Sequence, residues 1–260
     1  ETISAWSQCH GGLSIWIGEY YNVSRFEDLP LLFHSLIPSE MRHYHSSGMD
    51  GATFMHDFPV AWGVRALSKL QHAQYAWDVQ TDDNRFFDEY FTRKYGNYSR
   101  AMSSIYDRIE TAFNYISSLR NYGAETLTSV LNRWDGKKPE KPLSIAHFPD
   151  QLELLQTLKE ATKILDQVLC ELQKIINLEQ QESWKKLPAD NDWQNGLLSP
   201  LELESRRNYD KTEYRLGEDL RGLIYGRDSM WLMLALCSYH MELQRGGKGN
   251  QEWELVEQVA

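Results

Sequence analysis

The stretch Met49–Gly96, MDGATFMHDFPVAWGVRALSKLQHAQYAWDVQTDDNRFFDEYFTRKYG, decides the fold. Ala52–Met55 reads as a short apolar strand that ends on His56 and Asp57. An aromatic-rich helix follows, then Trp77-Asp78-Val79, an acidic turn and a second helix stopping at Tyr95-Gly96. A strand whose end presents polar groups and leads straight into a helix is how parallel α/β barrels build ligand sites. The rest of the chain does not continue that alternation.

Upstream, Leu13–Ile17 has the β-branched and aromatic character of a strand, bounded by Gly11-Gly12 and Gly18, and it runs into Glu19-Tyr20-Tyr21. A helix is expected over Ser39–Ser46, with Ser39 as N-cap and Gly48 as terminator, before a strand at Gly51–Met55. Strand, helix and strand within about forty-five residues is the spacing of a parallel crossover.

Downstream, the pattern is helical throughout. Pro59 suits a first helical position, and Val60, Val64, Leu67, Leu70, Gln71 and Gln74 fall at helical intervals. Asp82 and Asp83 open the next helix, which carries Phe86, Phe87, Tyr90 and Phe91. A third, from Ser99 to Asn121, sets Met102, Ile105, Ile109, Phe113 and Ile116 on one face. A Lys/Pro-rich connector, Gly136–Pro149, precedes the clearest helix. There Leu158, Ala161, Leu165, Val168, Leu172 and Ile175 alternate steps of three and four and make a bundle seam. Two helices over Pro200–Leu223 and Arg227–Gln244 follow, then a Gly-rich break and a weak final turn.

The fold class is therefore mainly α, a multi-helix bundle preceded by two short parallel strands. Residues 1–57 form a strand–helix–strand unit and 58–260 a helical region. Two strands are too few for an independent parallel sheet, so they either join a sheet outside this chain or pack as a patch on the bundle.

A net charge of −10 argues against nucleic acid, which demands concentrated Lys and Arg. Arg206, Arg207, Arg215 and Arg221 sit among acids, as on a solvated helix. Cys9, Cys170 and Cys237 are far apart and form no CxxC pair. The longest apolar run, Met230–Cys237, is far short of a membrane span, and the opening on Glu1 suits a processed N-terminus. Asn22 and Asn97 stand in glycosylation patterns.

The pieces Gly48 and Gly51, Ala76-Trp77-Asp78, Asp83 with Phe87, Glu89-Tyr90 and Tyr95-Gly96 resemble the end of the catalytic barrel in several bacterial glycoside hydrolases. The match looks most like the domain of unknown function family 4838, and it is similar to the corresponding segment of the α-glucuronidases of glycoside hydrolase family 67. The Leu13–Tyr21 strand resembles the penultimate barrel strand of that group. The resemblance covers roughly the first hundred residues, and beyond Ser99 only the helical character agrees. It implies that the two strands are the last units of a (β/α)8 barrel and that residues 58–260 are a helical C-terminal domain. It also implies a periplasmic or secreted protein, with an upstream catalytic barrel of the same protein and a carbohydrate, oligosaccharide or uronic-acid sugar as partners.

Glu19, at a strand end, is the catalytic candidate, because glycoside hydrolysis uses paired carboxylates across the scissile bond. The other reading is a carboxylate that bonds sugar hydroxyls or a neighbouring loop. Tyr20, Tyr21 and Trp62 are candidate sugar platforms, with Trp16 either platform or core. His56 and Asp57 suit substrate hydrogen bonding. His43 and His45, two apart on a helix, diverge and would not chelate together; with His34 they read as ordinary hydrogen-bonding histidines, and no metal is expected. Trp77-Asp78 and Tyr95-Gly96 read as structural: the Trp anchoring a helix end, Asp78 starting a turn and Gly96 capping a helix. No nucleophile elbow, phosphate loop, HExxH or dinucleotide fingerprint occurs, so no cofactor is expected.

The functional expectation is the C-terminal region of a carbohydrate-active enzyme that completes one wall of a sugar cleft, stabilises the barrel and turns over little alone. Its rivals are a stand-alone carbohydrate-binding or interaction module and a purely structural helical domain.

Overall fold

The computed structural model describes residues 5, 6, 8, 14–19, 29–54, 63–117, 136–141, 151–183 and 212–259. The chain is mainly helical with two short parallel strands. In order these are β1 (Trp16–Glu19), α1 (Ile37–Ser46), β2 (Gly51–Phe54), α2 (Arg65–Trp77), α3 (Asp83–Tyr95), a 3-10 turn (Gly96–Tyr98), α4 (Ser99–Ser117), α5 (Gln151–Ser183), α6 (Thr212–Gln244) and α7 (Asn250–Val259).

The strands pair in parallel, with Trp16 opposite Gly51 and Glu19 opposite Phe54. Parallel neighbours need a crossover, and α1 supplies it. Two contacts pin the register. Asp50 accepts from the Ile15 amide at 2.8 Å, and the Asp50 amide donates back to the Ile15 carbonyl at 2.9 Å. Trp16 then lies across Gly51, where any Cβ would stand 2.9 Å from its ring. This bracket starts the ladder at Trp16, later than the expected Leu13–Ile17, and Glu19 is its last described residue.

Ser39 is not the N-cap of α1. Pro38 sits in the first turn, where its missing N–H costs nothing, so the helix begins at Ile37 and the Ser39 hydroxyl donates to the Leu36 carbonyl at 2.8 Å. Asp82 does cap α3, accepting from the Arg85 amide at 2.7 Å. Gly96 closes that helix with φ +54°, a value that favours glycine. The expected helical start at Pro59 lies outside the described residues, as do the end of the Ser99–Asn121 helix and most of the Gly136–Pro149 connector.

The core is built by the seams the periodicity marks. Met102, Ile105, Ile109 and Phe113 of α4 meet Leu158, Leu165, Val168 and Leu172 of α5 and Leu223, Met230, Met233 and Leu236 of α6 in one buried cluster. Each such side chain contributes about 1.5–3 kcal/mol on leaving water. Leu29, Leu31 and Leu32, which precede α1, are buried in the same cluster. A smaller cluster of Ile37, Met41 and Tyr75 receives Ala52 and Phe54 from β2.

Arg42 ties this unit to the helices. Its guanidinium donates to the Val79 carbonyl at 3.2 Å, the Thr81 carbonyl at 3.0 Å and both oxygens of Asp83, while Tyr75 also donates to Asp83.

Three expectations change. The helices expected over Pro200–Leu223 and Arg227–Gln244 are one continuous helix from Thr212 to Gln244, and residues 200–211 lie outside the described residues. Gly226 does not break α6; it lets the helix approach Pro30 and Phe113, whose atoms lie 2.7 and 2.9 Å from where its Cβ would be. The terminal turn is a ten-residue helix that buries Trp253 and Val256. Trp77 ends α2 but anchors nothing, being 90% exposed: Leu67, Gln71 and Tyr75 set the buried stripe, and residue 77 falls off it. Among the described residues, no helix is long and apolar enough to cross a membrane.

Candidate functional site

Of the sequence candidates, the structure places Glu19, while Tyr20, Tyr21, His56, Asp57 and Trp62 lie outside the described residues. Glu19 stands at the carboxyl end of β1, half-buried, and its Oε1 accepts a hydrogen bond from the Tyr44 hydroxyl on α1. Burial, and then the neighbouring Glu19, push the Tyr44 phenol well above its ordinary range. Tyr44 therefore stays a donor and fixes the carboxylate's orientation. Such a carboxylate can accept from a sugar hydroxyl or attack an electrophilic carbon, provided a partner acid faces it.

The histidines divide by position. His43 and His45 are exposed on α1. His34 is buried, with Nε2 at 2.9 Å from Asp107, Nδ1 at 3.4 Å from Glu110, and its carbonyl held by Gln71 at 2.7 Å. Among the described residues, no three His, Cys, Asp or Glu side chains gather as a metal would require.

A second polar centre lies where α3, α4 and α6 meet. Lys94 is buried and donates to the Gly63 carbonyl at 2.8 Å, the Tyr106 hydroxyl at 2.9 Å and Asp219 at 3.4 Å. Tyr95 donates to the other Asp219 oxygen, and Tyr106 approaches the same carboxylate at 3.3 Å. The Lys94 ammonium lies 5.0 Å from the Tyr95 ring centre and 5.6 Å from those of Tyr90 and Tyr106, within cation–π range. Burial pushes Lys94 down and Asp219 up, and each charge opposes the shift of the other. The Tyr95 and Tyr106 phenols are driven well up by burial first and Asp219 second. Glu218, next along α6, is buried and raised to about 7, chiefly by desolvation and then by the Asp219 charge.

Beside this centre, a cleft of about 380 Å³ opens between α2 and α3, reached by Arg215 of α6. Arg215 is not a solvated surface residue as its acidic neighbours suggest. It donates to the Arg93 and Lys94 carbonyls at 2.7 and 3.1 Å, satisfying the end of α3. Arg206 and Arg207 lie outside the described residues. The sequence did carry one signal for the centre: Leu216, Asp219 and Leu223 share a helical face, so Asp219 stands at a core position.

The chain matches no protein-family model, no curated protein and no solved structure.

Proposed function

We propose that this chain is the C-terminal region of a carbohydrate-active enzyme of the glycoside hydrolase type. In this reading Glu19 and the neighbouring strand ends form one wall of a sugar cleft, and the helices brace the barrel to which β1 and β2 belong. The observation that carries the proposal is the pairing of Glu19 with Tyr44 at the carboxyl end of a parallel strand–helix–strand unit, where barrel enzymes place their working groups. Among the described residues the sheet consists of β1 and β2 alone, which suits a unit completed by further strands. The partners are a carbohydrate and an upstream barrel of the same protein.

The test is Glu19→Gln in the intact protein, assayed for oligosaccharide hydrolysis and binding. The variant keeps the shape of the side chain and removes its charge, so a fall in turnover of about a hundredfold or more is expected of a group acting in acid–base or nucleophilic chemistry. Wild-type kinetics and binding would remove Glu19 from the site.

A non-catalytic carbohydrate-binding module is the second reading, favoured by the 90% exposure of Trp77, which leaves a ring face open for stacking on a sugar. Trp77→Ala separates the two. Loss of sugar binding with an unchanged melting temperature supports the module, and unchanged binding discards it.

A further inference from the structure

The corner where α6 turns into α7 plays no part in the strand-end reading, and it already holds a cation. Tyr239 of α6 and Trp253 of α7 set their ring centres 5.2 Å apart at an angle of 59°, which makes a wedge of two rings. Gly249 permits the close turn, since a Cβ there would stand 2.6 Å from the Tyr239 ring. The Trp253 indole donates to the Glu257 carboxylate at 2.6 Å, which orients the ring and places negative charge beside it. Lys138 reaches this wedge from the strap of residues 136–141. Its ammonium lies 5.8 Å from the Tyr239 ring centre and 5.9 Å from that of Trp253, and it donates to the Asn250 side-chain carbonyl at 3.1 Å. The Tyr239 hydroxyl also ties the strap, donating to the Pro139 carbonyl at 2.7 Å. Lys138 itself is exposed, so its place at the rings is open to solvent.

Both distances fall at the outer end of the cation–π range, about 6 Å. A bare ammonium is strongly hydrated and at that distance draws little from either ring. An ammonium wrapped in methyl groups sheds water more readily, and its methyls fill the remaining gap. We propose that this corner is a binding site for small methylated ammonium solutes, with Lys138 the internal cation that they displace. Tyr239 and Trp253 supply the rings, and Glu257 with the net charge of −10 supplies the favourable field. Lys138 lowers the affinity by holding the place itself.

Calorimetric titration of the full chain with choline tests this, against 3,3-dimethylbutan-1-ol, which has the same shape without the charge. Choline is expected to bind in the millimolar range, and the alcohol about tenfold more weakly or worse. Lys138→Ala removes the competing cation from an exposed position and should tighten choline about fivefold or more. Lys138→Arg keeps a cation on the strap and should not. Tyr239 and Trp253 also pack in the core, so their part is read without replacing them: in Lys138→Ala, choline should shift the NMR signals of the Trp253 indole and the Asn250 side-chain amide. Choline binding no tighter than the alcohol in both proteins, an affinity that Lys138→Ala leaves unchanged, or shifts that spare Trp253 and Asn250 would each overturn the assignment.

Discussion

Lys94 and Asp219, 125 residues apart in sequence, meet at 3.4 Å with neither side chain more than 7% exposed. A buried ion pair contributes little net stability, because desolvating both charges offsets their attraction, but breaking one leaves an unpaired charge in the core. Lys94→Met should therefore cost about 3–5 kcal/mol in urea unfolding. Adding Asp219→Asn should recover much of that loss, since the orphaned charge is gone. Strictly additive losses would show that the two groups do not act as a pair.

Glu218 sets a stability trend with pH. Its folded-state carboxyl titrates near 7 against an ordinary 4.5, so the folded chain holds a proton that the unfolded chain has released. The contribution is fully present below the ordinary value and is lost as pH rises through about 7, on the order of 3 kcal/mol in all. Glu218→Gln should melt higher than the wild type at about pH 8 and no higher at about pH 4. Parallel melting curves for the two proteins across that range would rule Glu218 out as the source.

Two glycines of α6 should respond to alanine with opposite signs. Either change gains about 1 kcal/mol of helix propensity. At Gly222 the new methyl would meet only Pro30, at 4.0 Å, so Gly222→Ala should stabilise. At Gly226 it would strike the Pro30 ring at 2.7 Å and Phe113 at 2.9 Å, and overpacking against a rigid ring costs about 1–3 kcal/mol. Gly226→Ala should therefore destabilise overall, a sign that thermal melts read directly.

The Arg42–Asp83 clasp should shape the acid limb. Its hydrogen bonds from Arg42 hold the Asp83 carboxyl below its ordinary 3.8. The stabilisation is present above that value and is lost as pH falls through the folded one. Both side chains are about 40% exposed, so solvent screening reduces the effect to about 1 kcal/mol. Arg42→Met should lose that amount near neutrality, and the gap from the wild type should close in acid. A gap that persists unchanged in acid would assign the loss to Arg42 packing on Tyr75 instead.

Local pattern made much of this fold readable. The Asp82 cap, the α4 face and the Leu158–Ile175 seam each depend on residues within a few turns of one another, and the parallel pair follows from its spacing. What escaped depends on distant contacts. The gap expected between Leu223 and Arg227 holds Gly226, whose close approach to Pro30 and Phe113 no local pattern shows. Asp219 shares a helical face with Leu216 and Leu223, but its partner Lys94, 125 residues away on α3, is not visible in that pattern. Trp77 shows the converse: a large apolar residue beside a helix end suggests an anchor, yet the buried stripe of α2 passes it by. Of the candidate site, Glu19 lies among the described residues, and its hydrogen bond to Tyr44 on the crossover helix is a pairing that no local pattern specifies.

The leucines ahead of α1 have a mechanical consequence. Leu29, Leu31 and Leu32 are embedded among the long helices, while Ile37, a turn and a half further on, belongs to the small cluster beneath β2. This short connection works as a lever whose fulcrum lies in one core and whose arm carries Tyr44. Loss of the Glu19–Tyr44 contact would load that arm, and the change should register as altered amide exchange in α4, whose core residues share a cluster with these leucines.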